Sequence, residues 1–407
     1  MTATRMGLRL RLATLAALAG AWAAAAFFLW TSTRVPGGLH LGGLDDHRFF
    51  TAGFLRRAEH YERFHYLLWV AQTVVTLVVF ALYAWRGARF ARESAAGPIG
   101  TAMLLAMLGF ALVWLASVPF QLLSLWWERR YDQSDESYLT VIFGGWLGLG
   151  AAFVFLCVAV LIVVGLAKLL PRAWWVPAAG VFVGLALLFT FVSPYLVAKT
   201  DPLRDPELRQ AAARIAAAEG VHGVEVRVQN VDTKDPNAFT TGIGASRKVF
   251  LWDSLLDGRF PNRQIEVVLA HEYGHQARNH LLRGIAWYAL FAFPGTYLIA
   301  RAAARRGGMR EPAAMPVALL VLVVLNLVAL PFQNAISRHM EAEADWMALR
   351  TTRDPQATEG LFRNFAKTAL GDPSPPTLAY LAFDDHPTLM QRIAMARAWA
   401  ETESKPG

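Results

Sequence analysis

Seven long apolar runs constrain the fold of this 407-residue chain more than any other feature of its sequence. A helix of about 20 apolar residues is enough to cross the hydrocarbon core of a bilayer. The runs cover approximately residues 12–30, 66–85, 99–123, 138–167, 174–198, 284–300 and 312–332. They predict a mainly α-helical polytopic membrane protein. The composition agrees, because only 17% of the residues are charged, whereas soluble domains carry about 25%.

The same runs exclude some classes of function. The middle of every run is free of Asp, Glu, Lys and Arg. Proton pumps and ion-coupled carriers need ionisable residues inside the membrane, so the pattern argues against a transporter. The net charge of +8 is spread over the loops between the runs, where it suits anionic lipid headgroups. We therefore expect membrane lipids as partners and, since the sequence has no nucleic-acid-binding motif, no nucleic acid.

The first run has two interpretations. It follows Arg5, Arg9 and Arg11, which is typical of a cleaved signal peptide. The run is long for a signal peptide, however, and continues through Phe27 to Trp30. An uncleaved membrane anchor is therefore the favoured interpretation. Lys and Arg residues are divided almost equally between the two sets of loops, so the charge distribution does not decide the orientation in the membrane.

After the fifth run the sequence becomes polar. Residues 208–219 predict a short amphipathic helix, and residues 224–228 alternate with period two, as in a strand. A turn is predicted at residues 235–238 and a second strand at residues 248–252. This region therefore predicts a small α+β domain.

Two further apolar runs interrupt that domain, so four segments are predicted. They are an N-terminal membrane domain of about five helices (1–198), a first half of the α+β domain (199–282), two transmembrane helices (283–333) and a second half of the α+β domain (334–407).

A five-residue motif in the polar region points to metal chemistry. It reads His271-Glu272-Tyr273-Gly274-His275, and the residues before it have helical character. Positions i and i+4 of a helix share a face, so both imidazoles can reach one ion. Glu272 lies about 100° around the helix from His271, where it can hold a water beside the ion. This is the layout of a zinc metalloprotease, and a solvated helix face is the alternative.

A catalytic zinc typically has three protein ligands and one open position, so a third ligand is needed. The single cysteine, Cys157, lies in an apolar run, which leaves His and carboxylates as ligands. Residues 334–345 contain no Pro or Gly and predict a helix on which Glu341 and Asp345 share a face. Glu341 is the candidate third ligand of one Zn²⁺ per chain.

Other side chains of this predicted helix have supporting roles. Asp345 can accept the outer N–H of a ligating His and fix its tautomer. Arg338, three residues before Glu341, can steady these acids. Glu343 and His339 are expected to be surface residues. The alternative for the whole segment is a charged surface helix.

The motifs together resemble the type I CAAX prenyl endopeptidases, integral-membrane zinc proteases of the gluzincin class. The stretch from His271 to His280 and the stretch from Asn334 to Asp345 carry the resemblance. Shorter similarities extend it over most of the chain. They lie at Val118-Pro119-Phe120, Glu128-Arg129-Arg130, Asn237-Ala238-Phe239, Gly242, Val268-Leu269-Ala270, Asp385-His386-Pro387 and Arg392-Ile393. The first 65 residues match only in hydropathy.

The resemblance implies a fold and further roles. The fold would be a bundle of about seven helices around a water-filled chamber, with the zinc site near one membrane face. His386 and Arg392 would stabilise the tetrahedral oxyanion as catalytic residues beside Glu272. His280 falls at the family's additional His and would support the site from outside the ligand set.

The resemblance also implies a place for the substrate. Asn237 and Ala238 would bind it along an edge strand. A turn at Asn237 and a helix start at His386-Pro387 are the plain structural alternatives.

The sequence thus predicts a zinc endopeptidase acting on peptides or proteins at the membrane. CAAX-type processing of lipidated proteins is one substrate class. A membrane quality-control metalloprotease and a zinc-binding sensor without proteolysis are the alternatives. The Ala-, Arg- and Trp-rich composition indicates a high-GC bacterium. The expected location is its inner membrane, with the site facing the cytoplasm by family resemblance, and the oligomeric state stays open.

Overall fold

A computed structural model describes residues 2–92, 94–231 and 233–404. The α-helices in these ranges are α1 (Thr2–Thr31), α2 (Ala52–Arg86), α3 (Gly97–Arg130), α4 (Tyr138–Leu169), α5 (Trp175–Leu196), α6 (Pro206–Ala218), α7 (Asn262–Ala277), α8 (His280–Ala304), α9 (Met315–Thr352), α10 (Pro355–Ala369), α11 (Thr377–Phe383) and α12 (Leu389–Ser404). The β-strands are β1 (Thr200–Pro202), β2 (Glu225–Gln229), β3 (Ala238–Thr241) and β4 (Lys248–Trp252). The chain is mainly helical, as predicted.

Six helices in the described ranges are long and apolar enough to cross a membrane, namely α1 to α5 and α9. They contain six of the seven predicted runs. The other run, residues 284–300, lies in α8, whose 25 residues extend over about 37 Å. α8 is not among the six. It packs against α5 and α9.

Polar side chains start several of the helices. Thr51 and Ser137 each accept a hydrogen bond from a backbone N–H of the first turn of α2 and α4. Asp205 and Asp354 do the same for α6 and α10. These caps satisfy N–H groups that have no partner within the helix, and each stabilises its helix by about 1 kcal/mol.

The four strands form one sheet in the order β1-β2-β4-β3. β2 and β4 are parallel, and the outer strands pair antiparallel with them. The pattern-based strands at 224–228 and 248–252 correspond to β2 and β4, and the helix predicted at 208–219 is α6. β3 at the sheet edge was expected from the family resemblance alone.

The sheet packs on the helix that carries the HExxH motif. Val249 and Leu251 of β4 are fully buried, as is Leu269 of α7, and all three belong to one apolar core. α6 lies against the same helix. Because its neighbours bury it, α7 is a rigid support for the motif and not a solvated surface helix.

α9 is the longest helix in the described chain, with 38 residues. It begins in the last apolar run and continues through Pro331 into the acidic segment that contains Glu341. A predicted segment boundary, between residues 333 and 334, therefore lies within a helix. The division of the chain into four segments stays a prediction.

The segment between α1 and α2 packs on the part of the fold that contains α7 and the end of α9. Phe49 and Phe50 are buried in the core that contains α7, and Val35 and Leu39 pack against a smaller cluster around Trp346. Hydropathy gave no indication of these contacts. They connect the N-terminal membrane helix to the region around α9.

Gly242, directly after β3, makes the closest backbone approach near the sheet edge. Its φ is +91°, and a Cβ atom there would clash with the Ser246 carbonyl oxygen and would lie 2.8 Å from Pro194 Cγ. The turn can therefore close against α5 only without a side chain at this position.

We expect Gly242→Ala to lower the free energy of unfolding by about 2 kcal/mol or more, because it combines a strained φ with a backbone clash. Gly244→Ala is the matched control, since Gly244 also has a positive φ but has nothing within 4 Å of its Cβ position. Thermal unfolding of the two variants in detergent measures the difference. Equal melting temperatures would contradict the role of the close approach.

Candidate active site

Two imidazoles of α7 and one carboxylate of α9 meet where these helices pack together. His271 Nε2 and His275 Nε2 are 3.0 Å apart. Glu341 places one oxygen 3.1 Å from His271 Nε2 and the other 3.4 Å from His275 Nε2. One potential ligand atom from each residue lies within 4.8 Å of the others. Residues 66 or more positions apart in the chain are thus brought to one point.

The atoms at this point fit a divalent cation. The buried Oε2 of Glu341 lies 3.1 Å from His271 Nε2 and 3.2 Å from His386 Nε2. Two imidazole nitrogens face each other at 3.0 Å, a distance at which two lone pairs repel unless a proton or a cation lies between them. Two imidazoles and a carboxylate, without thiolates, form the ligand set of many catalytic zinc sites.

Asp345 joins the site to the C-terminal helix α12. Its Oδ1 is 2.9 Å from His271 Nδ1, and the Arg392 guanidinium donates to both of its oxygens at 2.6 and 2.8 Å. A carboxylate paired with an arginine is an acceptor, so His271 carries its proton on Nδ1. Nε2 of His271, which faces Glu341, is therefore the nitrogen left to bind a cation. This is the arrangement predicted for Asp345.

Arg392 was predicted to act on the oxyanion with His386, and the structure places its charge elsewhere. Two of its guanidinium nitrogens bind Asp345, and the group lies 4.1 Å from the centre of the Phe362 ring. The oxyanion role of Arg392 stays a prediction.

His386 lies at the open side of the ligand group. Its Nε2 is 3.2 Å from Glu341 Oε2, and its Nδ1 is 2.7 Å from Asp385 Oδ1. Burial would lower the pKa of His386, but the contacts with Asp385 and Glu341 outweigh burial and raise it to about 9. About half of the side chain is exposed, at 49%. A protonated imidazole at neutral pH thus faces solvent beside the ligands.

Glu272 is buried between the ligands and the core. Burial raises the pKa of its carboxyl above the usual range, and the nearby Glu341 adds to the rise. The imidazoles of His271 and His275 oppose it. A carboxylate of raised pKa accepts a proton more readily, which suits a general base.

Arg338 does not contact the acids that it was predicted to steady. Its guanidinium donates to the carbonyl oxygens of Tyr380 and Asp384 and lies over the Tyr380 ring. The reason is its position on α9, from which the long side chain reaches α11 instead of α7. It therefore holds the chain just before His386.

Glu343 and His339 were expected on the surface; this is wrong for Glu343, whereas His339 is partly exposed. Glu343 has no exposed surface and binds Arg278, Arg283 and His280. His339 stacks on Trp30 with ring centres 4.4 Å apart. Both positions lie on the side of α9 away from Glu341, and that side is covered by the start of α8 and the segment after α1.

The edge strand β3 lies beside the ligand group. Gln276 of α7 donates to Thr240 Oγ1 and so joins the motif helix to β3. The Asn237 side chain is exposed and accepts a hydrogen bond from the N–H of Ala238. A cavity of about 260 Å³ separates the end of β3 from α7, and it is lined by Gly242, Arg247, His275 and Asn279 among others.

Comparisons with known proteins agree on one family. The model of peptidase family M48 matches residues 202–400. The uncharacterized metalloprotease YhfN of Bacillus subtilis is 28% identical in a 309-residue alignment that covers 71% of this chain and 72% of that protein. A protease HtpX homolog of Acaryochloris marina is 30% identical over 50% of this chain and 75% of its own length. A CAAX prenyl protease 1 homolog of Arabidopsis thaliana is 26% identical over 41% of this chain and 42% of its own length.

The fold is similar to that of a solved structure. The crystal structure of Ste24p from S. mikatae superposes with a TM-score of 0.68 at 18% sequence identity. The alignment covers 92% of this chain and 96% of that one. This likeness confirms the predicted fold class, a polytopic helical membrane protein with a small sheet-containing domain.

We expect Asp345→Asn to lower the free energy of unfolding of the metal-free protein by about 3 to 5 kcal/mol. The reason is that the buried Arg392 charge loses the carboxylate that compensates it. Chemical unfolding followed by tryptophan fluorescence, with a chelator present, measures the loss.

Glu359→Gln is the matched control for Asp345→Asn. Glu359 accepts from Arg397 Nε at 2.9 Å, but Arg397 is 44% exposed, so we expect a loss of about 0.5 kcal/mol or less. Similar losses in the two variants would show that burial does not set the strength of the Asp345–Arg392 pair.

Proposed function

This chain belongs to peptidase family M48 and is a membrane metalloendopeptidase, and we propose that it works with one zinc ion per chain. In this proposal His271, His275 and Glu341 are the ligands, and Glu272 is the general base. The observation that supports it most is the convergence of two imidazole nitrogens and two carboxylate oxygens within 3.0 to 3.4 Å. The substrate is a peptide or protein.

In the proposed mechanism the chain's own residues move the protons. A zinc held by His271, His275 and Glu341 would supply a water of lowered pKa and would polarise the scissile carbonyl. Glu272 accepts a proton from the attacking water and delivers it to the leaving amine. Protonated His386 at the open side of the ligands donates to the developing oxyanion. Arg392, which binds both oxygens of Asp345, holds His271 through that carboxylate.

We propose that the substrate pairs with the free edge of β3. An extended peptide can add as a strand to such an edge, and its main chain then supplies the hydrogen bonds. Asn237 and Ala238 begin this edge. The cavity of about 260 Å³ beside His275 would receive a side chain next to the scissile bond.

For the substrate class we propose lipidated C-terminal segments of the CAAX type. The plant CAAX prenyl protease 1 homolog supports this choice. The several helices that can cross a membrane allow a lipid anchor to be held close to the site. We propose the bacterial inner membrane as the location, with the site facing the cytoplasm. Membrane lipids would be the other partners.

We expect Glu272→Gln to bind one zinc per chain and to lose about 10²- to 10⁴-fold in turnover of a quenched peptide, because only the proton acceptor is missing. Metal analysis and the cleavage assay, both in detergent, give the two readouts. Glu266→Gln on the same helix is the control, since Glu266 pairs at the surface with Arg214, and it should keep its activity. Equal cleavage by Glu272→Gln and wild type would disprove the mechanism. Zinc binding by wild type without cleavage of any peptide would favour a sensor.

We expect a peptide with a farnesylated cysteine three residues from its C-terminus to be cleaved with a kcat/KM at least about tenfold above that of the unlipidated peptide. Membrane insertion of the chain concentrates the substrate at the site. The control peptide carries farnesyl at its N-terminus, which separates partitioning from recognition. If the two farnesylated peptides react equally, the CAAX class is excluded and the peptidase reaction is unaffected.

A further inference from the structure

A second histidine, His280, contacts the Nδ1 side of the His275 ring, opposite the nitrogen that faces Glu341. His275 Nδ1 and His280 Nδ1 are 2.9 Å apart, and the other nitrogen of His280 lies 3.0 Å from Glu343 Oε2. His280 and Glu343 are 3% and 0% exposed. A buried chain of contacts therefore runs from an acid of α9, through one imidazole, to the outer nitrogen of His275.

The surroundings of Glu343 fix it as an acceptor. Arg278 donates to Oε1 at 2.7 Å and Arg283 donates to Oε2 at 2.6 Å. The backbone N–H of Arg34 donates to Oε1 at 2.8 Å. A carboxylate with two guanidinium partners stays ionised, so its contact with His280 requires the proton on His280 Nε2.

The remaining proton positions follow from this one. Two arginine charges already surround one carboxylate, and a third positive charge on His280 would be buried beside them at a high cost in free energy. Neutral His280 with its proton on Nε2 offers a lone pair on Nδ1. The short contact with His275 then needs a proton on His275 Nδ1. His275 Nε2 is left with its lone pair towards Glu341.

We propose that Glu343 and His280 are positioning residues that hold the proton of His275 on Nδ1 and thereby aim its Nε2 lone pair at the metal. This inference rests on the proposed metal site. Every second residue of α9 from 341 to 345 is an acid, and each has its own role. Glu341 is a ligand, Asp345 contacts Nδ1 of His271, and Glu343 acts on His275 through His280. The left-handed conformation of Asn279, with φ of 52°, turns the chain so that His280 lies behind His275.

The test compares three substitutions of His280 in the full-length protein in detergent, with zinc affinity measured by competition with a chelator. Glutamine can accept from His275 with its amide oxygen and donate to Glu343 with its nitrogen, so His280→Gln should stay within about threefold of wild type. Leucine offers neither group, and asparagine is too short to reach both partners. For His280→Leu and His280→Asn we expect zinc affinity to fall about 10- to 100-fold.

Two controls separate positioning from a general loss of stability. Leu361→Ala removes a buried side chain from the core without touching the histidines, so it should lower the melting temperature while zinc affinity stays within about threefold. Glu343→Gln should lower zinc affinity in wild type but add little in the His280→Leu background, because the contacts form one chain.

The outcomes distinguish this inference from the proposed function. Wild-type affinity in His280→Leu and His280→Asn would overturn the positioning role and leave the zinc peptidase intact. Equal losses in His280→Gln and His280→Leu, or an equal loss in Leu361→Ala, would also overturn it. A wild-type protein that binds no zinc would overturn the proposed function itself.

Discussion

Two acids of α9, Glu343 and Asp345, are buried at its crossing with α7 and α8 and a third, Glu341, is nearly so, and the site depends on how their charges are compensated. A carboxylate removed from water is costly unless it is paired and hydrogen-bonded. Asp345 is paired with Arg392 and His271, and Glu343 with two arginines and His280. Glu341 instead faces the imidazoles of His271, His275 and His386, so it is the acid that has room for a metal cation beside it. The packing of these helices therefore also sets the geometry of the candidate ligands.

The rest of the fold holds these acids in place. The sheet and α6 bury the motif helix on one side, and α9 covers the other. The segment after α1 adds a backbone N–H from Arg34 to Glu343, and Arg283 also donates to the Leu29 carbonyl. Elements from both ends of the chain thus converge on the same few side chains. The edge strand β3 remains free beside the ligands, where a peptide can approach.

The sequence predicted the parts of the site that depend on local geometry. Helical periodicity placed His271 and His275 on one face and Glu341 and Asp345 on another, and period-two alternation located β2 and β4. The failures concern contacts between distant segments. Position i+2 on a helix points away from i, so Glu343 had to lie opposite Glu341, but only the tertiary structure decides whether that side is water or protein. Arg338 failed for a similar reason, because a long side chain can turn to an element that the local sequence does not reveal.

Some of the fold was beyond pattern analysis. Hydropathy located the apolar runs but could not show that the last one and the acidic segment form one continuous helix. It also could not show that residues 31–50 lie on the soluble helices, because the contacts of Phe49, Phe50 and Val35 are irregular in spacing. The sequence does contain one indication that Glu343 is buried. Arg278, His280 and Arg283 follow the motif closely, and such a group of basic side chains can pair with a buried acid.

The continuity of α9 has a consequence for biosynthesis. The helix that carries Glu341 is the same 38-residue rod whose first half is apolar enough to span a bilayer. A nascent chain that has not yet been inserted has both imidazoles on α7 but no fixed position for the third side chain. We therefore expect the candidate ligand group to form only once the apolar half of α9 has entered the bilayer.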